Sequence, residues 1–147
     1  MKVFLAGIIQ GSLVEATIHS QDWREVVKGS LAKHVAGADI YCHYTRHPQS
    51  ISYDLPAIRE TFEDGVRKAA ECDLLLAYLP SASMGTAIEM HEAKRAGAAV
   101  VTITRMAANW VVRLYSDVIL PDAAALEAWL ASGELVKLLA RSKERQG

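Results

Sequence analysis

Cysteine is scarce: Cys42 and Cys72 are the only two in 147 residues. That is too few for a disulfide framework, so a reducing, cytoplasmic setting is expected. An excess of one charge is lacking as well. Sixteen basic against seventeen acidic side chains leave a formal net charge of −1, which removes the pull that nucleic-acid polymers and anionic membranes exert. No stretch approaches the roughly 18 consecutive apolar residues that cross a bilayer. Met1-Lys2-Val3-Phe4-Leu5-Ala6 has the colour of a signal peptide, but Gly7 and Gln10 interrupt it and no small-residue cleavage site follows. Internal repeats and linkers are also missing. One domain over 1–147, large enough to bury a substantial core, is expected.

What is present is an alternation of short apolar runs and amphipathic stretches. Residues 2–6 read as a buried strand, ended by a loop over 7–12 that holds Gly7, Gly11 and Ser12. Ser20 is placed to cap a helix over 21–34 whose apolar face is Trp23, Val26, Val27, Leu31 and Val35. After Gly37 a second strand is expected over 39–44, then a polar loop over 45–53 containing Pro48. A helix over 56–72 turns Ile58, Phe62, Val66 and Ala69 inward. Strand 73–79 is almost wholly apolar, as when both sheet faces are covered. A helix over 85–96 stops at Gly97, and 98–104 is a fourth strand. Residues 105–116 read as a loop with an amphipathic turn at Trp110-Val111-Val112, and 117–120 as the last strand. Asp122 caps a final helix carrying Leu126, Trp129 and Leu130, with Gly133 as a break before 135–139 and a charged, frayed tail from 141.

Strands alternating with helices imply an α/β fold with right-handed crossovers. The expectation is a flavodoxin-like (Rossmann-like) three-layer sandwich around a five-stranded parallel sheet of order 2-1-3-4-5. In that order the loops after strands 1 and 3 meet at one crevice, where ligands bind.

Several residues fall at that crevice. Gly7, Ile8, Gln10 and Gly11 offer backbone to a ligand, although a plain sharp turn explains the glycines equally well. Ser81 and Ser83 either cap the following helix or donate to a ligand oxygen. Glu89 has two readings. Thr86-x-x-Glu89 fits a capping box, yet Glu89 is followed at three and four residues by Glu92 and Ala93, so no cation pairs with it along the helix. A lone carboxylate at the crevice is a candidate nucleophile or acid/base. His43 and His47, beside Cys42, suggest a metal, but four residues of extended strand span about 13 Å and keep the rings apart. No metal is expected, and nothing calls for a cofactor.

Gly85-Thr86-x-x-Glu89 after an apolar strand begun by Asp73, Phe4-x-x-Gly7 at the start, and Asn109 followed by Ser116-Asp117-Val118-Ile119 resemble the nucleoside 2-deoxyribosyltransferase family and its relatives, the 2′-deoxynucleoside 5′-phosphate N-hydrolases. The resemblance spans 2–120. It implies that Glu89 forms a covalent glycosyl ester as the base departs. It implies that Gly85 and the first loop hold the substrate, and that Asn109 reaches into a neighbouring subunit's site. A small-molecule nucleoside or nucleotide partner and a homodimer or higher homo-oligomer follow, with no nucleic-acid polymer and no membrane.

Four positions depart from that pattern. Phe4 replaces a tyrosine whose hydroxyl orients the glutamate. Ser83 stands where the transferases have aspartate and the hydrolases a phosphate-binding serine. Gln10 replaces the hydrolases' arginine. Gly65 takes the place of an aspartate, leaving the adjacent Asp64 as candidate acid for the departing base. Tyr44, Tyr53 and Trp110 are available to stack on a base.

The reaction expected is cleavage or transfer at the N-glycosidic bond of a (deoxy)nucleoside or its 5′-monophosphate. The alternatives are a non-catalytic nucleotide sensor of the same fold, or a phosphoribohydrolase resembling cytokinin-activating enzymes. The latter carry Pro-Gly-Gly where this chain has Pro80-Ser81-Ala82.

Overall fold

The structure, a computed structural model, describes residues 1–144. Its strands are β1 (Lys2–Gly7), β2 (Asp39–Cys42), β3 (Leu74–Tyr78), β4 (Ala99–Ile103) and β5 (Val118–Leu120). They form one parallel sheet in the order β2-β1-β3-β4-β5, as the sequence predicts. The register sets Phe4 beside Tyr41 and Leu75, and Leu5 beside Cys42 and Leu76. Successive residues therefore point to opposite faces, and each face needs its own cover.

One face is covered by α1 (Trp23–His34), α6 (Ala123–Ala131) and α7 (Glu134–Glu144). Val27, Leu31, Leu126, Leu130, Leu135 and Leu138 pack there on Leu5, Leu76 and Val101. The other face lies under α3 (Leu55–Ala70), α4 (Met84–Arg95) and α5 (Trp110–Tyr115), whose Ala69, Met90, Ala93 and Val112 meet Phe4, Leu75 and Val100. Of these helices α4 lies directly on the sheet, and α3 packs closely against α4. Among the described residues no helix is long and apolar enough to cross a membrane.

Five local expectations change. β2 ends at Cys42, and His43–Arg46 forms a helical turn, α2, so the strand expected over 39–44 is two residues shorter. Helix α1 begins at Trp23 with Asp22 at its cap, while the Ser20 hydroxyl bonds to the Asp22 carboxylate at 3.0 Å. Val26, expected in the core, is 54% exposed. The amphipathic turn expected at Trp110-Val111-Val112 extends to a six-residue helix, α5, capped by the Asn109 side chain, which accepts from the N–H groups of Val111 and Val112. Part of the tail expected to fray is held: α7 runs to Glu144, and the Ser142 hydroxyl donates to the Gly97 carbonyl. Residues 145–147 of that tail lie outside the described residues.

Leu75 is fully enclosed in the central strand. Truncation to alanine there is expected to lower the unfolding free energy by about 2–5 kcal/mol. Denaturant unfolding at fixed pH measures it.

Candidate active site

A cavity of about 350 Å³ opens beyond the carboxyl ends of β1 and β3, the place where the strand order reverses. Its base is Leu5, Ala6 and Gly7, and its rim includes Gln10, Gly11, Tyr53 and the first turn of α4. Ile58 and Phe62 of α3, expected in the core, line this cavity and remain exposed.

Gly7 and Gly11 are required by the chain's own packing. A Cβ at Gly7 would lie 2.5 Å from the Trp23 indole. Gly11 has φ near +60°, and a Cβ there would meet Ile8 Cδ1 at 2.5 Å. Ile8 is wholly buried beneath that turn and does not line the cavity. Gln10 does line it, and its amide donates to the Glu15 carbonyl at 3.1 Å.

Helix α4 starts at Met84 with Ser83 as its cap. The Ser83 hydroxyl accepts from the Thr86 N–H and, at 3.0 Å, from the Thr86 hydroxyl. This overturns the capping-box reading of Thr86 and Glu89. Thr86 is buried at the third helical position, and Glu89 is the sixth residue of the helix, beyond the first-turn N–H groups that a cap serves. Its carboxyl lines the cavity instead, together with Ser83 and Gly85. Ser81 lies outside the lining, its hydroxyl enclosed with no hydrogen-bond partner.

Burial pushes the Glu89 carboxyl up to about 8, against which the positive charge of Arg24 pulls downward. Arg24 was not singled out by sequence. It is 2% exposed, lines the cavity, and spends its donors on the Leu5 and Gly7 carbonyls, Cys42 Sγ and the Gln21 side chain. A signal for it existed: Val27 and Leu31 define the buried stripe of α1, and one turn back along that stripe is Arg24.

His43 was also undervalued. The helical turn α2 brings the His43 and His47 rings to 5.2 Å, because residues four apart face one another on a helix and not on a strand. His47 Nδ1 lies 3.1 Å from the Tyr53 hydroxyl. Among the described residues no group of three or more potential ligands could hold a metal ion. Burial, then the neighbouring His47 and Arg24, lower His43 to about 4, so it is a neutral imidazole at physiological pH.

Gly65 connects these groups. A Cβ there would stand 3.8 Å from Glu89 Oε1 and 3.9 Å from His43 Nδ1. Position 65 thus faces both side chains, and this chain leaves it empty. Asp64 is turned to an ion pair with Arg67 and does not line the cavity, although its charge acts on His43. Phe4 is buried, with its ring stacked on Tyr41 at 5.1 Å. Asn109 caps α5, and Asp117 accepts from the Val100 N–H and pairs with Lys94, tying β4 to the segment before β5.

No protein-family model and no curated protein matches the chain. Solved structures do. A 2-deoxyribosyltransferase from Bacillus psychrosaccharolyticus superposes with a TM-score of 0.64 at 14% identity, over 88% of this chain and 96% of the other. The Clostridium botulinum CMP N-glycosidase BcmB gives 0.52 at 17% identity, over 92% and 99%. A conserved protein from Enterococcus faecalis V583 gives 0.57 at 16%, over 90% and 98%. The chain therefore has the nucleoside deoxyribosyltransferase-like fold.

The raised Glu89 value has a consequence for stability. Relative to the ordinary 4.5, the folded state holds this proton more tightly. The contribution is full below pH 4.5 and lost as pH rises through 8. Glu89→Gln keeps the shape without the ionisation, so its melting temperature relative to wild type is expected to climb between pH 4.5 and 8 and to level off above. Parallel thermal scans across that range check the sign.

Proposed function

We propose that this protein cleaves or transfers the N-glycosidic bond of a nucleoside or nucleoside 5′-monophosphate, with Glu89 as nucleophile. The observation that carries the reading is Glu89 itself: a carboxyl free of any capping duty, enclosed at the switch-point cavity of a fold shared with a deoxyribosyltransferase and a CMP N-glycosidase.

Cleavage at the anomeric carbon passes through an oxocarbenium-like state, which an adjacent anion stabilises. A Glu89 carboxylate oxygen bonds to that carbon as the C–N bond breaks, and the electron pair leaves with the base. Water then hydrolyses the ester, or a second base accepts the glycosyl group. Help for the leaving base comes from a hydrogen bond donated by the neutral His43 imidazole, which faces the same space as Glu89, rather than directly from Asp64, whose charge acts on that ring. Gly7, Gln10, Gly11, Ser83 and Gly85 hold the substrate, and Tyr53 and Phe62 are cavity aromatics available for stacking. Ile8 and Ser81 contribute by supporting the loops.

The protein acts as a homodimer or higher homo-oligomer. Trp110, at 86% exposure, and Leu114 are exposed on α5, as are Met84 and Ile88 on α4, the helix it packs against. Such apolar exposure marks an interface. Asn109 at the start of α5 uses its carbonyl oxygen as a cap, which leaves its NH₂ for a neighbour's site.

Incubation with a panel of nucleosides and 5′-monophosphates is expected to release free base, and Glu89→Ala to lower kcat by at least a hundredfold. Variant and wild type releasing base at equal rates excludes the mechanism. Binding without release in the wild type supports the sensor reading. Because kcat/KM follows the free enzyme, it is expected to rise with pH towards about 8, the Glu89 value. Trp110→Glu is expected to halve the mass seen by light scattering; an unchanged mass removes α5 from the interface.

A further inference from the structure

Arg24 is a buried cation with a deficit. Among the described residues no carboxylate lies within 4 Å of it. Its guanidinium carries five N–H donors. Four are taken: Nε by Gln21 Oε1 at 2.7 Å, Nη1 by the Leu5 carbonyl and Cys42 Sγ, and Nη2 by the Gly7 carbonyl, the last three at 3.4 Å. The Trp23 ring lies 4.3 Å from the guanidinium carbon and the Tyr44 ring 5.6 Å. Of these hydrogen-bond partners only Cys42 can carry a negative charge, and its interaction with Arg24 is the largest that opposes the burial penalty; an uncompensated buried charge is costly. A guanidinium stays protonated under such conditions, so the compensation must come from an anion nearby.

The carboxylate whose field reaches Arg24 is Glu89, and both side chains line the same cavity. On the other side of Glu89 stand neutral His43 on α2 and the empty position at Gly65 on α3. β1 presents Leu5, Ala6 and Gly7, and from β2 the Tyr41 phenol and the Cys42 thiol act on the two charged groups. Among the described residues Arg24 is the charged group whose field acts on Glu89 to favour its ionised form.

We propose that Arg24 is the positioning residue that keeps Glu89 available as a carboxylate, a fixed cation acting on it electrostatically within the cavity the two side chains share. The proposal rests on Glu89 as the reacting group, and it deepens that assignment by naming what sustains its charge. Arg24 need not touch the substrate. Its guanidinium is clamped by β1 carbonyls, so its charge is preorganised and requires no rearrangement when ligand enters.

The test is direct titration of Glu89 by carboxyl-carbon NMR in wild type, Arg24→Met, Arg24→Gln and Arg24→Lys, with Glu89→Gln identifying the resonance. Both neutral variants are expected to raise the Glu89 midpoint by at least one pH unit. Arg24→Lys is expected to hold it within half a unit of wild type. A midpoint that stays put in whichever neutral variant folds overturns the proposal, as does a lysine variant that shifts as far as the neutral ones. Where base release is measurable, the ascending limb of kcat/KM is expected to move with the titration while KM changes less than threefold. If the titration shifts but no nucleoside or nucleotide loses its base, Arg24 retains its role and the proposed reaction is what fails.

Discussion

Glu89 occupies a position that water cannot fully solvate, and the surrounding structure is arranged around that cost. A carboxyl in such a place takes up a proton unless a positive charge opposes it. Here burial raises it and Arg24 lowers it, and both conditions are set by backbone. Helix α4 begins at Met84, so Glu89 lies beyond the first turn, clear of capping and turned to the cavity. Helix α1 presses Arg24 against the end of β1, where the Leu5 and Gly7 carbonyls accept from it. Gly7 makes that approach feasible, since a side chain there would collide with Trp23.

The sheet supplies the frame. With β1 and β3 adjacent and winding reversed between them, two loops diverge and leave a crevice that no side chain of the core fills. Helix α4 lies on the sheet and α3 packs on α4, and Gly65 leaves α3 without a side chain where it faces the site. The absence of a side chain there lets Glu89 and His43 approach a shared space. The fold's likeness to a deoxyribosyltransferase and a CMP N-glycosidase concerns the frame. The particular groups placed on it are this chain's own.

Much of the frame follows from local sequence. Period-two and near-continuous apolar runs mark the five strands, and alternation with helices leaves little choice but a parallel sheet. Asp122 and Gly133 bracket α6 as expected, and Glu89 and Ser83 stand at the crevice from spacing alone. Errors occurred where two local signals compete. Ser83 and Thr86 are both good caps, and only packing of Thr86 into the interior selects the earlier one. Cys42-His43-Tyr44 continues a strand pattern, yet the chain turns helical once it leaves the sheet edge.

The sequence by itself determined the strand order, the two-faced core and the carboxylate at the crevice, because hydrophobic periodicity is a local property. Only the tertiary structure decided what surrounds that carboxylate. Arg24, His43 and Gly65 come from three different helices, and although the buried stripe of α1 marks Arg24 as enclosed, no local pattern joins the three. Their meeting depends on how α1, α2 and α3 are laid on the sheet. The charge state of Glu89 is a sum over those distances and their burial, a quantity that exists only once the chain has folded.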